Sequence, residues 1–173
     1  VFYANLKGHV EALLFINGDP VPAGQLAEIL NVDKVNIEEI VTQLKEDMDT
    51  SERGLTIIKV AGGYQLCTKP ELAAIVEKMA QVLDNKLSVP AMETLSIIAF
   101  KQPITKQEIE NIRGVRVDRV LMKLIDRLLV KELGRKKVIG RPILYGTTEE
   151  FLKCFGLDNI EDLPLLPDAV YTE

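Results

Sequence analysis

The stretch from Gly134 to Thr148, GRKKVIGRPILYGTT, gathers Arg135, Lys136, Lys137 and Arg141 in a chain of 173 residues whose formal charge is −5. Cations beside glycines could cradle a phosphate, grip a nucleic-acid backbone, or only solvate a turn. A phosphate loop needs GxxxxGK followed by Ser or Thr, leading from a strand into a helix. That Lys-Ser/Thr pair is missing from this stretch, which argues against nucleotide binding.

Other reactive side chains are scattered. His9 is the only histidine, and Cys67 and Cys154 lack the paired spacing of a metal or redox site. Both cysteines read as small buried hydrophobes. The acid pairs Glu38-Glu39 and Glu149-Glu150 are adjacent along predicted helices, so they point about 100° apart and do not converge on a substrate. No Ser or Thr sits in a nucleophile motif. The expectation is a protein with no catalytic residues, no cofactor and no metal. No uninterrupted apolar run approaches the roughly 20 residues needed to cross a bilayer, so no membrane association is expected and a cytoplasmic location is.

The elements that position these residues emerge from an internal repeat. With Pro20 set on Pro103, LFINGDPVPAGQLAEI (14–29) lies over IIAFKQPITKQEIENI (97–112), matching Leu14 to Ile97, Val21 to Ile104 and Leu26 to Ile109. Further on, Ile37, Val41 and Leu44 fall over Val117, Leu121 and Leu124. In the second copy, Ser88 opens a helix that runs to Pro103, and Thr105 to Glu108 is a capping box. A short helix to Ile112 follows. Gly114 then turns the chain into a third helix with the stripe Val117, Val120, Leu121, Leu124, Ile125 and Leu128. Two strands are expected around Gly140-Arg141-Pro142.

The first copy predicts helices over 5–17, 23–30 and 36–48 and a hairpin turned at Ala61-Gly62-Gly63. Three helices and a hairpin make a winged helix. The predicted fold is mainly α with small β-hairpin wings, in two tandem winged-helix (helix-turn-helix) domains. These would span 1–83 and 84–156, followed by an acidic tail over 157–173. Leu72, Ile75, Val76, Met79 and Leu83 mark a linking helix expected to pack on the first domain.

Charge separates the two copies. Residues 1–86 hold 8 Lys/Arg against 13 Asp/Glu, and residues 87–173 hold 13 against 13. The third helix of the second copy places Arg116, Arg119, Lys123 and Arg127 on its polar face, where with Arg135, Lys136, Lys137 and Arg141 they could form one basic surface. Weak phosphate contact, sequence-specific readout and a plain solvated or protein-facing surface all stay open, since charged faces are ordinary on amphipathic helices. The equivalent helix of the first copy carries Glu38, Glu39, Glu46 and Asp47, which would repel phosphate.

The series ETLSIIAFKQPITKQEIENIRGV, followed by GRKKVIGRPILYGTTEEFLKCFGL, resembles the bacterial segregation and condensation protein B family, and EALLFINGDPVPAGQLAEIL resembles its opening. The resemblance covers residues 9–163. It implies a non-enzymatic subunit of a condensin-like complex, a homodimer formed largely through the N-terminal winged helix. It further implies a kleisin partner, segregation and condensation protein A, which bridges the heads of an SMC ATPase during chromosome condensation and segregation. Such a protein would be cytoplasmic and nucleoid-associated. Leu14, Phe15, Ile16 and Pro20 match the family's opening. Pro103, Arg113, Gly114, Gly140, Arg141, Pro142, Tyr145 and Gly146 match its second-domain signature. From these, Leu14, Phe15, Ile16, Pro20 and Tyr145 are the expected partner or dimer contacts. The runner-up is a winged-helix transcription regulator binding DNA as a dimer.

Overall fold

A computed structural model describes residues 5–79 and 87–164. The chain divides into two compact units, Val1–Asn85 and Lys86–Glu173, and each has its own apolar cluster.

Unit 1 begins with helices α1 (Leu6–Asn17), α2 (Ala23–Leu30) and α3 (Lys34–Met48). Val10 and Leu14 of α1 are one turn apart and buried, as are Ile37, Val41, Leu44 and Met48 along α3. They close with Leu26 of α2 over the inner face of a hairpin, β1 (Leu55–Val60) and β2 (Gly63–Thr68), which presents Ile57 to the same cluster. The α2–α3 turn is set by Asn31, left-handed at φ 53, a conformation Asn tolerates because its short polar side chain can bond locally. The hairpin turns on only Ala61 and Gly62, both at positive φ (49 and 75), as a type I′ turn requires. One further bridge completes the sheet: Val21 and Tyr64 exchange both backbone hydrogen bonds, at 2.8 and 2.9 Å. Gly63 sits at that closest approach, where a Cβ would stand 2.9 Å from the Val21 backbone.

Beyond the hairpin come a 3-10 turn, Pro70–Leu72, and α4 (Ala73–Met79). Here the expected packing of the linking helix fails in part. Leu72 Cδ1 stands 3.2 Å from where a Cβ on Gly54 would be, but Leu72, Ile75 and Met79 are all exposed and α4 buries no residue. Seven residues without a partner stripe cover too little area to hold a face against a domain. Leu83 lies outside the described residues.

Unit 2 runs α5 (Val89–Lys101), β3 (Ile104–Thr105), α6 (Lys106–Arg113), α7 (Asp118–Asp126), β4 (Val130–Arg135), β5 (Ile143–Thr147) and α8 (Glu149–Phe155), with sheet order β3-β5-β4. Leu95 and Ile98 of α5, Ile109 of α6 and Leu121 and Leu124 of α7 fill its core with Val117 and Val130. Ile104 pairs with Tyr145, which repeats the Val21–Tyr64 bridge at equivalent places. Each unit is thus a winged helix: three helices, a short first strand and a hairpin.

Two details depart from expectation, and a third concerns the tail. The first wing strand lies upstream of the β-forming run, in VKELGR, which has few β-formers, and Lys136–Pro142 is loop. Tertiary pairing with β5 through a bulge at Glu132/Gly134 makes it a strand. Leu128, counted in the α7 stripe, falls after the helix, left-handed at φ 59 and exposed. The tail segment after Phe155 returns to the core: Leu157, Ile160 and Leu163 pack on it through a 3-10 turn (Ile160–Asp162) capped by Asn159.

Candidate interaction surfaces

The helix-turn-helix of unit 2 is clasped by charge. Gly114 ends α6 in the left-handed region. The Val117 backbone N–H, which opens α7, donates to Glu110 Oε1 at 3.1 Å. Lys106, at the start of α6, pairs with Asp118 at the start of α7 and lies 3.8 Å from Glu110. That pairing lowers the Asp118 carboxyl and raises the Lys106 ammonium from their ordinary values. On the other side of the unit, Arg113 donates to Glu93, tying α6 to α5. Neither Lys106 nor Glu93 was singled out in the sequence, because their partners lie 12 and 20 residues away.

The wing is held as firmly. Lys136 Nζ donates to Glu108 Oε1 at 2.6 Å. The same Glu108 carboxylate accepts the Thr105 N–H at 2.8 Å, completing the predicted capping box. With the Lys136 bond first and the Thr105 bonds next, the Glu108 carboxyl is pulled down to about 2. Within the loop, Lys136 N–H donates to Pro142 O, Val138 N–H to Lys136 O, and Arg141 N–H to Val138 O, each at 2.9 Å. Arg135 Nη1 reaches Arg141 O at 3.0 Å. Gly140 and Arg141 take positive φ to close the turn. The outcome is an ordered loop with Ile139 fully exposed at its tip.

The predicted basic residues separate into two groups. Lys136 is committed to Glu108, whereas Arg119 and Lys123 on α7, and Lys137 on the wing, are exposed and have no hydrogen bond or ion pair among the described residues. Arg116 and Arg127 do not lie within α7 as expected; they flank it, in the turn before and at the C-cap. A shallow groove of about 370 Å³ separates the α6 start from the wing, lined by Lys106, Gln107, Arg135, Pro142 and Tyr145 among others.

Of the five expected partner or dimer residues, Phe15 and Ile16 are exposed at 72% and 79% at the end of α1. Pro20 is half-buried. Leu14 is core at 1%, and Tyr145 is buried in β5 at 8%. Leu14 therefore shapes its unit from inside, while Tyr145, though mostly buried, also lines the groove beside the wing. On α3 of the same unit, Glu38, Glu39 and Glu46 border a shallow groove with Val35. Lys34 and Lys7 partly offset this face at Glu38 and Asp47.

His9 is exposed. Cys154, expected to be buried, is exposed, and Cys67 is only partly covered. Their partial desolvation nevertheless raises both thiols above the ordinary value, which keeps them protonated near neutrality and weak as nucleophiles. Among the described residues no group of three or more His, Cys, Asp or Glu could hold a metal ion, and no helix is long and apolar enough to cross a membrane.

The family model described as "Segregation and condensation complex subunit ScpB" matches residues 8–166. Segregation and condensation protein B of Moorella thermoacetica is 48% identical over 172 residues, 99% of this chain and 88% of the relative. That of Symbiobacterium thermophilum is 48% identical over 155 residues, 90% of this chain and 71% of the relative. Among solved structures, a dimer of the ScpB N-terminal domain complexed with ScpA peptide is 34% identical, covering 42% of this chain and 91% of that one with a TM-score of 0.41.

Proposed function

The chain belongs to the ScpB family of segregation and condensation complex subunits, and from that premise we propose that it is a non-enzymatic homodimeric scaffold that binds a kleisin chain. Through the kleisin it serves an SMC ATPase in chromosome condensation and segregation, in the cytoplasm at the nucleoid. The family match across nearly the whole chain carries this reading. The surface supports it: Phe15 and Ile16, consecutive on α1 and about 100° apart around it, each leave a large apolar side chain in solvent, a cost that a protein–protein contact would remove. Each fully buried side chain of this size is worth about 1.5–3 kcal/mol, enough for the pair to anchor an interface. We assign the dimer or partner contact to Phe15 and Ile16, with Pro20 beside them and Leu14 as the core residue beneath. In unit 2, Tyr145 supports the groove floor between α6 and the wing, where we place a second contact with the partner chain.

The division of labour follows from charge. The acidic α3 of unit 1 suits a protein interface better than a nucleic-acid one. Light scattering on the purified protein, together with co-purification of a kleisin after nuclease digestion, tests the reading. The expected result is a dimer that retains the kleisin without nucleic acid. Phe15→Asp with Ile16→Asp should yield a folded protein that is monomeric or has lost the kleisin. A double variant that keeps both properties would remove Phe15 and Ile16 from the interface. A wild-type monomer with no kleisin would remove the scaffold reading itself.

A further inference from the structure

Residues 113–141 of unit 2 contain ten Lys/Arg and three Asp/Glu. The fold then sorts those charges. Asp118, one of the three acids, is taken up by Lys106, and Lys136 is taken up by Glu108. Arg113 is taken up by Glu93, and what faces solvent includes Arg116, Arg119 and Lys123 at α7, Lys131 on β4, and Arg135, Lys137 and Arg141 on the wing, diluted by Asp126 and Glu132. Of these, Arg135 lines the groove between α6 and the wing, and Arg116 lies close enough to the groove's Lys106 to act on its charge. The Lys106–Asp118 and Glu108–Lys136 pairs tie the start of α6 to the start of α7 and to the wing root, so the outer cations sit on a braced frame.

We propose that unit 2 binds duplex DNA through this α7–wing face, by phosphate contact and without sequence readout. The inference does not rest on the scaffold reading. Three observations argue for it. The free cations are presented by a helix-turn-helix and its wing, the two elements that reach duplex in this fold. The wing tip combines cations with apolar Val138 and Ile139, the latter fully exposed. That composition suits a minor groove, where cations meet the flanking phosphates and an apolar side chain meets the sugar edges. Third, no aromatic residue interleaves the cations, so there is nothing to stack on unpaired bases and duplex is favoured over single strands. The exposed face of α7 also offers no Asn or Gln to pair with adenine edges.

Six phosphate contacts predict a log–log salt slope of roughly −5, and affinity that is weak at physiological salt. Fluorescence anisotropy of the full chain with two unrelated labelled duplexes, measured over a salt series, tests this. Equal affinity for both duplexes is expected, with the steep slope above. Arg119→Ala with Lys123→Ala, and separately Lys137→Ala with Arg141→Ala, should each flatten the slope by about 2, since each lost phosphate contact removes about one unit. Lys34→Ala on the acidic α3 should leave it unchanged, and light scattering on every variant checks that the oligomeric state is intact. Absence of binding at low salt, or binding indifferent to both double variants, would overturn the proposal. So would salt-resistant preference for one duplex, which would make α7 a base reader. If Ile139→Ser removed association with a protein partner while DNA binding was absent throughout, the wing would be a protein knob and the proposal would also fall.

Discussion

Units 1 and 2 share one topology but differ in what they put around it. In each, a residue just after the first helix pairs with a tyrosine of the second hairpin strand, Val21 with Tyr64 and Ile104 with Tyr145. In each, a glycine beside that tyrosine lies where a Cβ would collide: Gly63 against Val21 backbone, Gly146 against Leu133 and Gln102 side chains. Even the helix-turn-helix corner is matched, with Asn31 and Gly114 both left-handed. The decorations diverge. Unit 1 has a 15-residue third helix with an acidic face and a two-residue hairpin turn. Unit 2 has a nine-residue third helix and a long cationic wing braced by an ion pair. The lesson is that the core pairing is what the repeat preserves, while surface charge and turn length, which cost the core nothing, are free to specialise.

The largest test of that symmetry is in the cores. Leu26→Ala and Leu124→Ala, both at 0% exposure, should each cost about 2–5 kcal/mol. Because each unit has its own cluster, hydrogen exchange should rise in the mutated unit well before the other; equal loosening of both by either substitution would break the picture of two separate cores. Next, Gly63→Ala should cost about 1–3 kcal/mol, the range for an overpacked site, because backbone blocks the new methyl. Gly146→Ala meets side chains that can shift, and a thermal melt should show it the milder of the two. Similar losses would mean the two close approaches are equivalent after all.

A smaller effect separates the wings. Glu108→Gln removes the carboxylate that holds Lys136, an exposed pair worth less than about 1 kcal/mol. A carboxyl lowered in the folded state from 4.5 to about 2 stabilises above its unfolded value, and that stability is lost as pH falls from about 4.5 through 2. Acid titration should therefore show a shallower loss of stability across that window in the variant, with faster amide exchange in the wing at neutral pH. An unchanged acid profile would mean the brace does not act in solution. Smallest is a gain: Ala61→Asn supplies the residue that a two-residue turn with positive φ prefers, and should raise unit 1 stability by about 0.5 kcal/mol, in the range of compatible turn substitutions. A loss would show that Ala61 is better adapted to its turn than its φ of 49 suggests.

Much of this protein was legible in the chain itself. The repeat, the capping box at Thr105 and the order of helices follow from local spacing, since helix periodicity and caps are set by residues three or four apart. Leu14, Phe15 and Ile16 all matched the family's opening, and it is the i, i+4 spacing of Leu6, Val10 and Leu14 that makes Leu14 core while its two neighbours face solvent. The wing's first strand was misplaced because VKELGR has few β-formers and becomes a strand only by pairing with β5. Likewise, whether a lysine is free or spent depends on partners far along the chain: Lys136 on Glu108, 28 residues away, and Lys106 on Asp118, 12 away. Sequence by itself determined two winged helices, an acidic third helix in the first and a basic stretch over 113–141 in the second. Only the tertiary structure decided which cations face solvent, because ion pairing across elements depends on distances that local spacing does not set.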